Sequence, residues 1–162
     1  MAINKYNDAT ENLIKAIDIA IESFKEYLPK NTDEKTVMHF INCYKEWKEK
    51  TLNPLPQFRT LKSLSYKIND VFTYFQECAG EEVNYFWDKI KEHNLPYKRE
   101  NKLAKILKRK KIKDDIEFDF VTDVIVPYQQ EGLINEEELI LLNTYIGDFE
   151  NRSRIKENKK TK

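Results

Sequence analysis

The sequence predicts an all-α protein, and three observations carry that reading. Nine apolar residues, Leu61, Leu64, Ile68, Phe72, Phe75, Ala79, Val83, Phe86 and Ile90, recur at spacings of three or four. Such spacing keeps them on one face of a helix. No segment alternates strictly between β-branched and polar residues, as a half-buried strand does. The 162 residues include only 3 glycines and 5 prolines, too few for a hairpin-rich β architecture. The expectation is a single-domain bundle of about six helices packed around one long central helix.

The first helix is expected to start at Asp8, where Asp8 and Glu11 have capping-box spacing. Leu13, Ile17, Ala20, Phe24 and Leu28 form its apolar stripe, and Pro29 ends it. A second helix begins near Asp33 and carries Val37, Phe40, Ile41, Tyr44, Trp47 and Leu52 before Pro54 and Pro56 stop it. The short link between them makes an antiparallel helical hairpin. The central helix is expected over about 60–93, crossing Gly80 without losing phase; at about 1.5 Å per residue it would run roughly 50 Å. Val71, Tyr74, Cys78 and Tyr85 make a second stripe beside the first, with Trp87 on the other flank, as suits a helix with neighbours on several sides.

A fourth helix is expected from Arg99 to Lys110 around Leu103, Ile106 and Leu107. A fifth starts near Asp114 or Asp115 and packs Phe118, Val121, Val124, Ile125 and Tyr128. Pro127 kinks or ends it, and Gly132 caps it. Asn135 and Glu138 have capping-box spacing for a last helix running to about Phe149, with Leu139, Leu142, Ile146 and Phe149 buried. Residues 1–150 read as one domain, followed by a basic, flexible tail over 151–162.

The longest clear apolar run is Leu139 to Leu142, far short of the ~20 residues a membrane span needs. Met1 to Thr10 lacks the apolar core of a signal peptide. Cys43 and Cys78 have neither metal nor redox spacing and read as reduced core thiols. The expectation is a cytoplasmic protein, and the abundance of Lys, Ile and Asn suggests a bacterial source.

Few residue patterns in the sequence point to a chemistry. His39 and Cys43 share a helical face but are only two ligands, too few for zinc. No Glu-x-x-His pattern, phosphate-cradling glycine loop, nucleophile elbow or EF-hand loop occurs. Glu81, Glu82, Asp88 and Glu92 cluster mostly off the central stripe, as a solvated face would. No metal or cofactor is expected, and catalysis is the weaker expectation, since it would rest on a carboxylate site at the central helix.

Charge is the feature that points outward. The net charge is +0, yet residues 98–113 hold nine Lys/Arg against Glu100 alone, and residues 114–150 hold eleven acids with no Lys or Arg. Lys98, Lys102, Lys105, Arg109 and Lys113 recur as one basic face if the segment is helical. Lys98, Arg99, Lys102, Lys105, Lys108 and Arg109 would then contact nucleic-acid phosphates. A helix-turn-helix made from the last two helices is excluded, because Glu136, Glu137 and Glu138 would lead into the groove. The leading expectation is a protein–protein interaction module, an immunity-like or antitoxin-like neutraliser of a basic partner. Its docking residues would be Asp114, Asp115, Asp119, Asp123, Glu136, Glu137 and Glu138. The tyrosine stripe would serve a homodimer if exposed.

Overall fold

The computed structural model describes residues 2–161, with side chains from residue 4 onward. The fold is all-α: among the described residues there are seven α-helices, one 3-10 turn over Pro56–Phe58 and no strand. The helices are α1 (Ala2–Glu26), α2 (Glu34–Leu52), α3 (Leu61–Glu77), α4 (Glu81–Glu92), α5 (Ala104–Arg109), α6 (Asp115–Gln130) and α7 (Glu136–Lys160). They divide into two compact units, Met1–Arg99 and Glu100–Lys162, a finer division than the single domain read from the sequence.

In the first unit α1 packs against α2, α3 and α4. Helix α1 begins before Asp8, because Tyr6 and Ala9 continue the phase of Leu13, Ala16 and Ala20 and pack against the same core. Asp8 and Glu11 therefore lie within the helix rather than capping it. Asp33 caps α2 as expected, its carboxylate accepting the Thr36 N–H at 2.7 Å. Leu28 and Leu52, read as buried, remain exposed.

The expected central helix is two helices. Helix α3 ends at Glu77, Cys78 turns extended, Gly80 takes φ +154°, and α4 starts at Glu81. The Phe75 and Phe86 rings stack with centroids 3.7 Å apart. In a straight helix these residues would lie roughly 16 Å apart along the axis, so the chain folds back on itself. Both helices face one core, lined by Leu64, Val71, Phe72 and Phe75 from α3 and by Val83, Phe86 and Ile90 from α4. Leu61, at the start of the stripe, stays exposed.

The joint is held by Glu82, 1% exposed and thus not on a solvated face as read from the sequence. Its carboxylate accepts the Tyr74 hydroxyl at 2.8 Å. It also fills the space a side chain at Gly80 would need, with Oε1 2.7 Å from the position of a Cβ. As it lies in the first turn of α4, the exposed amides at the helix N-terminus favour its negative charge. Nearby, the Trp87 Nε1–H donates to the Phe75 carbonyl at 2.8 Å, so both arms of the turn are tied.

In the second unit α7 packs against α5 and α6 around Leu103, Ile106, Ile112, Val121, Val124, Tyr128 and Leu142. The expected helix over Arg99–Lys110 shrinks to α5. Asn101 Oδ1 accepts the Leu103 N–H at 3.1 Å and its Nδ2 donates to the Leu133 carbonyl at 2.9 Å. These bonds hold residues 101–103 in a turn instead of a helix. Helix α6 continues through Pro127 to Gln130, and Gly132, at φ +72°, follows its C-cap as expected. The Asn135–Glu138 capping box forms in full. Helix α7 runs beyond Phe149 to Lys160, for no Pro or further Gly interrupts it and Arg152 fixes its middle through the Ile112 carbonyl at 2.9 Å.

Candidate interaction surface

The acidic residues read from the sequence have two different fates. Asp114 and Glu138 serve local structure. Asp114 Oδ1 accepts the Glu117 N–H at 2.9 Å and caps α6. Glu138 Oε2 accepts the Asn135 N–H at 2.9 Å and closes the box at the start of α7. Asp115, Asp119, Asp123, Glu136 and Glu137 instead lie exposed. On α6 the first three recur every four residues and share one outward face. On α7 Glu136 and Glu137 occupy the first turn, favoured there by the helix N-terminus.

Apolar side chains stand among these carboxylates. Ile116 is 81% exposed and Val126 54% exposed on the outer face of α6. Ile140 (61%) and Leu141 (45%) are exposed one turn after Glu136 and Glu137 on α7. The sequence held a signal for the second pair: a run of four apolar residues on one helix cannot all turn to one side. Lone exposed aliphatics are ordinary, but here aliphatics stand beside carboxylates on each of two helices.

The basic residues are scattered by comparison. Because residues 101–103 form a turn, Lys98, Lys102, Lys105, Arg109 and Lys113 do not line one helical face, contrary to the expectation. Lys98 and Arg99 belong to the first unit, where the Lys98 carbonyl accepts from Gln76 at 3.0 Å and the Arg99 guanidinium donates to the Cys78 carbonyl at 2.8 Å. Lys102 lies half-buried in the turn. Lys105 and Lys108 are exposed on α5. Arg109 forms an ion pair with Glu117, which also accepts the Lys113 N–H at 3.0 Å. One end of the basic block is thereby neutralised by the first turn of α6.

In the first unit the tyrosine stripe is engaged internally. Burial and its bond to Glu82 push the Tyr74 hydroxyl's pKa up. The Tyr85 hydroxyl donates to Glu22 at 2.5 Å, and that bond raises its pKa to about 12. His39 Nε2 lies 3.7 Å from Cys43 Sγ. Among the described residues, no group of three or more His, Cys, Asp or Glu side chains is placed to hold a metal ion, and no helix is long and apolar enough to cross a membrane. No protein family, curated protein or solved structure matches this chain.

Proposed function

We propose that this protein acts by docking a basic protein on the outer faces of α6 and α7, as an immunity-like or antitoxin-like neutraliser in the bacterial cytoplasm. The observation that carries the reading is the interleaving of Asp115, Asp119, Asp123, Glu136 and Glu137 with exposed Ile116, Val126, Ile140 and Leu141. Carboxylates steer a cationic partner toward the surface, and the aliphatic side chains give the contact an apolar centre once water is expelled. No Lys or Arg lies within 114–150 to compete for the carboxylates, and the cations of α7 begin only at Arg152. A nucleic-acid reading draws less support, since the basic residues are divided between the two units and Arg109 is paired with Glu117.

The test is affinity capture from the native host with the tagged chain and two charge variants. Wild type is expected to retain a basic protein, and Asp119→Lys with Glu137→Lys to lose it by at least tenfold. Lys105→Glu with Lys108→Glu should leave capture unchanged. Equal retention by wild type and the acidic-face variant overturns the reading. Loss on the lysine variant, together with salt-sensitive retention on DNA, favours nucleic acid instead.

A further inference from the structure

The second unit holds a polar cavity that the docking reading does not use. It encloses about 420 Å³ between Lys110 and Lys111 on one side and residues 145–155 of α7 on the other, a volume within the usual range of small-molecule sites. The lysine wall is fixed at three backbone points. The Lys110 N–H donates to the Ile106 carbonyl at 2.8 Å, the Lys111 carbonyl accepts from Arg109 Nε at 3.0 Å, and the Ile112 carbonyl accepts from Arg152 of α7 at 2.9 Å. Arg152 is itself held, since its Nε donates to the Asp148 carbonyl at 3.4 Å and its guanidinium lies 5.5 Å from the centre of the Phe149 ring. One arginine thus joins the two walls, and its charge belongs to the lining.

Two features mark this cavity out. Lys110 takes φ +60°, the left-handed conformation that glycine adopts most readily after a helix. A lysine is strained there, and strain of this kind clusters at functional sites. Tyr145 is only 8% exposed, yet its hydroxyl makes no hydrogen bond among the described residues and is not sealed from water. A hydroxyl so placed takes its bond from solvent or from a ligand. The charged groups of the lining are three cations, Lys110, Lys111 and Arg152, against the carboxylate of Asp148. Lys110, Lys111 and Asp148 are exposed and form no ion pair among the described residues, so the balance stays positive. Asn151 adds an amide, and Ile155, 56% exposed, adds an apolar edge.

We infer that this cavity binds a phosphorylated small molecule, its phosphate held by the Lys110 and Lys111 ammonium groups and the Tyr145 hydroxyl, its organic body lying toward Ile155. A phosphate monoester carries nearly two negative charges at neutral pH and three strong acceptor oxygens, which suits a lining with a surplus of two cations and several N–H and O–H donors. Lysine serves such a group as a point charge, and Arg152, already bonded to two carbonyls, contributes charge. A phosphodiester in a nucleic-acid backbone offers one charge per phosphate and fits this surplus less well.

The test is calorimetric titration of the full chain, at fixed ionic strength and neutral pH, with phenyl phosphate, its singly charged isostere phenyl sulfate, and a short oligothymidylate lacking terminal phosphates. Phenyl phosphate is expected to saturate one site with a Kd at least tenfold below that of phenyl sulfate. Lys111→Gln should raise that Kd at least tenfold. Lys110→Gly should do the same with no fall in Tm, because glycine takes the left-handed conformation without strain; this variant separates loss of the ligand from loss of the fold. Tyr145→Phe should raise the Kd severalfold and leave Tm unchanged, since the hydroxyl it removes has no partner within the protein. Asp148→Asn should lower the Kd. Failure of phenyl phosphate to saturate, equal affinity for phenyl sulfate, or a Kd unmoved by both lysine variants overturns the inference. So does weaker binding by Asp148→Asn, which would make the carboxylate the group that holds the ligand. Tighter binding of the oligothymidylate than of phenyl phosphate also overturns it and gives the cavity to a nucleic-acid backbone.

Discussion

The two units reach order by different means. The first buries aromatic rings in a shared core, where side chains of one helix bond carbonyl or carboxylate groups of another. Tyr44 reaches Val71, Trp87 reaches Phe75 and Tyr74 reaches Glu82. The second builds a mostly aliphatic core from about 60 residues, a size at which burial alone leaves a domain marginal. Its helix ends are fixed by Asp114 and Asn135 as N-caps and by Gly132 after the C-cap, and Tyr128 and Arg152 bond the Glu100 and Ile112 carbonyls. The difference lies in the cores, one built on aromatic rings and the other on aliphatic side chains, while both units leave apolar side chains exposed.

Alkaline pH is the strongest way to press this difference. Burial pushes up the hydroxyl pKa values of Tyr44 and Tyr74, and carries Tyr97 to about 12. The Glu22 bond carries Tyr85 to about 12. A raised folded-state pKa contributes stability that is complete below the unfolded value of about 10 and is lost as pH climbs through 12. The first unit, which holds both tryptophans, should therefore unfold between pH 10 and 12. Its tryptophan fluorescence should shift in step with late tyrosinate absorbance; ionisation of all tyrosines at pH 10 with fluorescence unchanged would contradict this.

Removing a ring comes next. Phe75 is fully buried against Phe24, Tyr44 and Phe86, so Phe75→Ala should cost about 3–5 kcal/mol by urea unfolding monitored through tryptophan. Gly80→Ala should cost about 2 kcal/mol, because the new Cβ meets the Glu82 carboxylate at an unfavourable φ. In the second unit Asn135→Ala should cost about 1 kcal/mol through loss of the cap, read by circular dichroism on urea titration. Glu136→Lys with Glu137→Lys removes favourable charge at a helix start and should cost at most about 1 kcal/mol. A much larger loss there would mean that these carboxylates support the fold rather than face outward for a partner.

Helix identity was largely legible in the sequence, and helix geometry was not. The stripe from Leu64 to Ile90 correctly marks a mostly buried face, but periodicity reports which side is buried and not whether the axis is straight. Two helices folded against one core keep the phase that one long helix would have. The joint shows itself only through Glu82, whose burial depends on Tyr74 and the missing side chain at Gly80. At Asn101 a side chain competed with the backbone, and no hydrophobic pattern records that. The acidic block was legible as composition. Its division into caps such as Asp114 and exposed residues such as Asp119 needed the helix boundaries.

The turn at Gly80 also bears on the speed of assembly. By bringing Phe75 against Phe86, it makes a core contact between residues eleven positions apart. Closing so short a loop costs little chain entropy, and structures rich in such local contacts fold quickly. The turn between α3 and α4 thus places part of the first unit's ring packing within one stretch of consecutive chain.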